Sequence, residues 1–314
     1  MQIPLDAIDK KILASLTRNS RTPLTLLAKS AGVSREVAAY RINKLQEKGI
    51  ILGFVTEINF EKLNFLGAAV FVTTKTRREK EFREHLIKSP YISWVGEQVG
   101  IWDFGMSIFG ENAEEIDARF LSLYQSFKDI IIDHRLTLHK KNTFFYEKLF
   151  GIEPLVTKKS FKDYKADSTD KKILSLLAVN ARIDYVELSK QINLTSPAIK
   201  DRIKKLEASG YIERYTTFID FSKLNVYQYS IFVTNKNIED RQRFFSYLRN
   251  HKDVCYTAEY VGDPFIELGV FVNNPYDLRQ ILRNIEESFP DNRVLEISLQ
   301  KEVVAFNPPS CVFE

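Results

Sequence analysis

Over the first fifty positions, apolar residues recur at the spacing of one helical face. Ile8, Ile12, Leu13 and Leu16 fall three or four apart after Asp6, an acid placed to cap a helix start. A second helix is expected near Leu24 to Ser30. The tight turn Ala31-Gly32-Val33-Ser34 leads into a third, with Ser34 as its N-cap and Gly49 as its C-terminal stop. On this third helix Val37, Ile42 and Leu45 should face the core. The strand-like run Ile50 to Phe60 would then form a wing hairpin beside three helices. Past residue 64 the period drops to two, in Leu66–Thr74, Tyr91–Gly100, Trp102–Gly110 and Ile130–Lys140, with helices near Lys80–Ile87 and Ala113–Phe127 between them. That order is β-α-β-β-α-β, a ferredoxin-like plait. Trp102, Phe104, Met106 and Ile108 make one apolar face for the helices to cover. The opposite face is bare unless a second sheet packs on it.

A shift of 161 residues lays the chain on itself. Asp6, Asp9, Ile12 and Leu13 meet Asp167, Asp170, Ile173 and Leu174, and Asn19 and Arg21 meet Asn180 and Arg182. Arg41, Ile42, Leu45 and Gly49 meet Arg202, Ile203, Leu206 and Gly210. The repeat is too long for a solenoid. It describes two copies of a two-part unit: an α+β chain with two winged helix-turn-helix heads and two ferredoxin-like domains. The divisions fall at 1–63, 64–142, a linker at 143–165, 166–224 and 225–314. In the second copy Tyr185 to Gln191 gives the second helix and Thr195 caps the third, whose Ala198, Ile203 and Leu206 should face the core. Pro197 sits in its first turn, where a missing N–H costs little.

Charge sharpens this picture. The net charge is only +4, but residues 1–64 carry ten Lys/Arg against six Asp/Glu, and residues 161–225 carry twelve against nine. The positive excess sits on the two heads, as expected of a polyanion binder. Two cysteines make neither a disulfide framework nor a metal set, and no apolar run approaches a membrane span. A cytoplasmic protein with no membrane partner is expected.

The segments Leu5–Ser34, Arg41–Ile51 and Val99–Phe109, with their second copies, resemble the Lrp/AsnC family of transcription regulators. The resemblance covers nearly the whole chain, twice. It implies double-stranded DNA as partner, plaits that pair sheet to sheet, and an amino acid or other small effector bound at that pairing. Members usually have one unit per chain and dimerise. Here two plaits in one chain suit an intramolecular pseudo-dimer, with a homo-oligomer as the alternative. The family's ligand-loop segment resembles Gly100 to Asp103. The second copy keeps Gly262, but Phe265 stands where Asp103 would be, so one intact site or none is expected. A glycine simply serving a positive φ is the competing account.

The third helices carry the DNA-contact expectation. Arg35, Ala39 and Asn43 in the first copy, and Ser196, Lys200 and Lys204 in the second, fall opposite the core positions, flanked by Tyr40 and Lys44, and by Asp201 and Lys205. Arginine can pair with guanine and asparagine with adenine, whereas lysine supplies charge to phosphate or guanine. Ser34 and Thr195 have a complete explanation as caps, with phosphate contact as a second role. Arg41 and Arg202 suit either an ion pair within the head or a phosphate contact. The first head is better equipped for base readout and the second for backbone anchoring, so an asymmetric site is expected.

Catalysis finds little support. The four histidines are scattered without metal-ligand spacing, no phosphate-binding glycine loop opens a helix, and no cofactor or metal is expected. Siroheme decarboxylases are similar to paired units of this kind, and His134 would be the candidate residue of that alternative. A third class is an activator whose second head contacts a general transcription factor. The segment Asn142 to Lys165, aromatic and lysine-rich, reads as a packed linker.

Overall fold

The computed structural model describes residues 4–154 and 161–313. Of the expected linker, residues 155–160 lie outside them. No helix among the described residues is long and apolar enough to cross a membrane.

Each head is three helices: α1 (Ala7–Arg18), α2 (Leu24–Ala31) and α3 (Arg35–Glu47) in the first, α6 (Ser168–Val179), α7 (Tyr185–Ile192) and α8 (Ser196–Ala208) in the second. The caps are those the sequence specifies. Asp6 and Asp167 accept from Asp9 N and Asp170 N, and Ser34 and Thr195 accept from Val37 N and Ala198 N. Gly49 and Gly210 close the third helices at φ 67° and 77°, where a side chain would be strained. The core phase differs by one residue from the expected set. Ala38, Ile42 and Leu45 are buried in α3, and Ile199, Ile203 and Leu206 in α8, whereas Val37 is 39% exposed and Ala198 is half-buried.

The expected wing hairpins are absent among the described residues. Strand β1 (Ile51–Ile58) instead pairs antiparallel with β6 (Ile212–Ile219), its counterpart in the other copy. This two-stranded ribbon interlocks the heads. Ile51 packs in the first head's core and Ile58, at the far end of the same strand, in the second's; Ile212 and Ile219 reciprocate. Leu63 and Phe65 complete the second core, and Leu224 the first. Ser20 N donates to Tyr215 O, and at the equivalent position Ala181 N donates to Phe54 O. Each buried aliphatic side chain is worth about 1.5–3 kcal/mol, so neither head keeps its full core without the other copy.

The plaits follow the expected order. The first is β2 (Leu66–Thr74), α4 (Glu79–Lys88), β3 (Ile92–Gly100), β4 (Phe104–Gly110), α5 (Ala113–Phe127) and β5 (Ile131–Phe144). The second is β7 (Tyr227–Asn235), α9 (Arg241–Asn250), β8 (Val254–Val261), β9 (Ile266–Val272), α10 (Asp277–Ser288) and β10 (Asn292–Phe306). They join edge to edge rather than only stacking. β5 pairs with β8 and β10 with β3, closing one eight-stranded barrel in the order β10-β3-β4-β2-β5-β8-β9-β7. Closure leaves the barrel itself no open edge among the described residues.

The helices cover the barrel from outside, over Phe104, Met106 and Ile108 in the first plait and Ile266, Leu268 and Val270 in the second. Trp102 departs from the expected face. It lies on the inner side with Ala69, Phe71, Phe232, Ala258 and Tyr260, its indole N–H donating to Glu296. Phe71 and Phe232, equivalent residues of the two copies, meet edge to face at 4.9 Å on the inside. The linker begins as ordered structure: after β5, a short turn at Tyr146–Phe150 packs on the second plait, where Lys148 Nζ donates to His251 O and Val254 O.

Candidate nucleic-acid interface

Two third helices present their outer faces to solvent. On α3 the exposed side chains are Arg35, Glu36, Val37, Tyr40 and Asn43, then Gln46 and Glu47 in its last turn, with Ala39 and Lys44 half-buried. Lys44 Nζ lies 5.6 Å over the Tyr40 ring, which holds an ammonium and an aromatic edge together on one side of the face. Val37 was not expected there. Both 37 and 38 are apolar, and periodicity alone cannot choose between neighbours; the smaller Ala38 takes the core.

On α8 the exposed cations are Lys200, Lys204 and Lys205. Lys205 Nζ lies 6.0 Å from the Tyr164 ring, so it leans toward the segment entering α6. Ser196 is the exception to the expected outer face: its Oγ donates back to Tyr185 O at 3.3 Å and lies 3.4 Å from Ser189 Oγ. Half-buried, it ties α8 to α7.

The arginines shared between the copies resolve as ion pairs within each head. Arg41 donates to Asp6 at 2.6 Å and Asp9 at 3.2 Å, and Arg202 to Asp167 at 2.8 Å and Asp170 at 2.9 Å. The N-capping bond from Asp9 N, then Arg41, hold the Asp6 carboxyl below its usual range. For Asp167, burial pushes upward, but the Asp170 amide and Arg202 outweigh it and the net shift is down. These pairs anchor the third helix to the first, and spend Arg41 and Arg202 on that task.

A second pair of arginines crosses between the heads. Arg21 donates to Ala181 O at 2.6 Å and Ile183 O at 3.2 Å, and its guanidinium lies 5.1 Å from the Tyr185 ring and 5.4 Å from that of Tyr215. Arg182 donates to Ser20 O and sits 5.2 Å over Phe54. Nothing local marked these roles, because both partners lie in the other copy.

The turn expected to hold an effector is built alike in both plaits. Asp103 N donates to Val72 O and Asp103 O accepts from Gln98 N; Phe265 N and O make the equivalent bonds with Val233 O and Tyr260 N. Gly100 has φ 148° and a Cβ there would meet Ile297 O at 2.9 Å, while Gly262 has φ 105°. The glycines therefore serve backbone conformation. The Asp103 carboxylate accepts from Thr74 N at 2.7 Å. In the second copy Phe265 is buried under Arg241, 4.5 Å from its ring. His134, the candidate for tetrapyrrole chemistry, packs on the outer face between Phe120 at 4.9 Å and Tyr124 at 5.7 Å.

A family model described as winged helix-turn-helix DNA-binding matches residues 5–51 and 167–213. The HTH-type transcriptional regulator FL11 of Pyrococcus horikoshii is 33% identical over 147 residues, which is 46% of this chain and 97% of that protein. The HTH-type transcriptional regulator LrpA of the same organism is 42% identical over 79 residues, 25% of this chain and 55% of its own. Among solved structures, the siroheme decarboxylase NirDL overlays 96% of this chain and 93% of its own at a TM-score of 0.63 and 12% identity. At that identity the likeness is one of fold alone.

Proposed function

From the premise that this chain belongs to the Lrp/AsnC family of transcription regulators and carries its unit twice, we propose that it binds one asymmetric double-stranded DNA site with two unlike recognition helices. The observation that carries this reading is the pair of capped third helices, α3 and α8, whose outer faces differ, mixed on α3 and lysine-rich on α8, while their buried faces match. A recognition helix lays such a face in the major groove. In α3, Arg35 and Asn43 have the donor geometry for guanine and adenine edges, and the exposed methyls of Val37 suit a thymine methyl. In α8, Lys200 and Lys204 have charge without a base-reading fork, and anchor on phosphate. Ser34 and Thr195 sit at helix N-termini, where backbone amides also favour phosphate.

The ribbon and the barrel fix the separation of the heads, so no second chain is needed to present two half-sites. An amino-acid effector at the Gly100 turn would be confined to the first copy, because Phe265 replaces the carboxylate in the second. The test is selection of DNA by the purified protein followed by footprinting. Two protected patches on one face of the duplex, a helical turn or a multiple apart, are expected. One patch would mean that the second head contacts another protein. No preference over heparin at low ionic strength would end the DNA reading altogether.

A further inference from the structure

Between the mouth of the barrel and the β1–β6 ribbon lies a cavity of about 540 Å³. Ligand sites for small molecules commonly span about 300–1,000 Å³. It is separate from the Gly100 turn, and opens at a rim where Lys141, Asn142 and Asn307 are exposed. Its walls are largely aromatic, from Phe71 and Trp94 inside to Phe218 and Phe306 near the ribbon.

Hydroxyl, amide, lysine and carboxylate side chains also line it, and one of the carboxylates is deeply buried. Glu267, 5% exposed, lines the cavity and accepts from the hydroxyls of Tyr256 and Tyr260. Ser230 Oγ stands 2.9 Å behind the Tyr256 hydroxyl. No cationic side chain pairs with Glu267 among the described residues. Burial and the neighbouring carboxylate push both tyrosines well above their ordinary range, so they stay neutral and donate their hydroxyls to Glu267. His139 does not supply the missing charge: burial pushes its pKa down to about 4. His139 and Thr217 are among the lining residues, and their Nδ1 and hydroxyl are buried without a hydrogen-bond partner. Four carboxylates, Glu57, Glu61, Glu213 and Glu267, border the space with two lysines, Lys140 and Lys141; Glu57 is paired with Arg214 at 2.6 Å.

A buried carboxylate that accepts from two hydroxyls and has no cationic partner is costly as an anion. Aromatic walls around it offer ring faces that attract cations. We propose that the barrel bore is the binding site of a small organic cation, an ammonium on an aromatic or aliphatic body, whose charge rests on Glu267. An anion of the same shape is rejected, because it would bring a second negative charge beside Glu267.

Calorimetric titration of the full chain, without DNA, tests this independently of the regulatory reading. The probes are tryptamine and its anionic isostere indole-3-propionate. Tryptamine is expected to bind at least tenfold more tightly than the acid. Glu267→Gln should abolish that preference, and Asn142→Trp, at the exposed rim and away from the core, should weaken tryptamine at least tenfold even if Glu267→Gln does not fold. Silence of tryptamine up to millimolar concentration, equal affinity for the acid, or indifference of tryptamine to Asn142→Trp would each overturn the proposal.

Discussion

The arginines that cross between the heads make a quantitative demand. Removing Arg21 deletes charged-donor bonds to Ala181 O and Ile183 O and two ring contacts. Hydrogen bonds from charged groups are worth about 1.5–3 kcal/mol and a half-exposed cation–π contact about 0.5–1. Against this stands repulsion: burial and the Arg21 charge both hold the Arg182 guanidinium below its ordinary pKa. Arg21→Ala should therefore cost about 2 kcal/mol in local opening, and Arg182→Ala a similar amount.

The double variant is the sharper case. Each single substitution also relieves the repulsion, but the second has none left to relieve, so the double loss should exceed the sum of the singles. Hydrogen-exchange mass spectrometry reads this where it matters, at peptides containing the Ser20 and Ala181 amides, which donate across the heads to Tyr215 O and Phe54 O. A loss of about 2 kcal/mol is a roughly thirtyfold faster exchange. A double variant equal to or milder than the sum would refute the close approach of the two guanidinium groups. Exchange unchanged in both singles would refute the crossing contacts themselves.

Four further outcomes follow from the same geometry. On operators carrying single base changes, Asn43→Ala should erase discrimination at one base pair, worth about 1–3 kcal/mol, whereas Lys200→Ala should weaken all sequences alike and lower the salt slope by about one; relaxation of both at equivalent positions of a palindrome would contradict the asymmetric reading. Arg202→Met leaves Asp170, fully buried, without its ion pair; thermal unfolding should show a loss of about 2–3 kcal/mol, below the figure for a fully buried pair because Arg202 is partly exposed, and Arg41→Met, whose partner Asp9 is less buried, a smaller one. Because the Asp6 and Asp167 carboxyls are lowered in the folded chain, their stabilisation is complete above the unfolded value near pH ~4 and disappears as pH falls through the folded values, so acid titration of the melting temperature should drop below that point and not above it. Gly269→Ala would place a Cβ 1.8 Å from the Tyr256 ring; overpacking of this kind costs about 1–3 kcal/mol, and an unchanged melting temperature would show that Tyr256 does not rest there.

What the sequence made legible was local. Ser34, Thr195, Asp6 and Asp167 cap helices through amides three residues away, and Gly49 and Gly210 end them by their own φ, so helix positions and the heads could be read directly. Alternation in Ile51–Ile58 marks a strand but carries no address for its partner, and the partner is the equivalent strand of the other copy rather than a hairpin mate. Trp102 lost its phase because it lies in the turn between β3 and β4, ahead of the strand whose alternation begins at Phe104. The heads obey a simple division, with matched buried positions and divergent exposed ones. The barrel interior does not. Gly105 in the first copy pairs with Gly96, and the same ladder position in the second pairs Glu267 with Ala258. Trp94 lies against Gly105 in the first copy, whereas in the second Tyr256 donates to Glu267. Packing alone would drive both copies toward one apolar solution at a buried position, as it did at Phe71 and Phe232. A charge retained inside only one copy, in a strand that is otherwise apolar, marks a divergence that the core does not require, and it falls on the wall of the cavity.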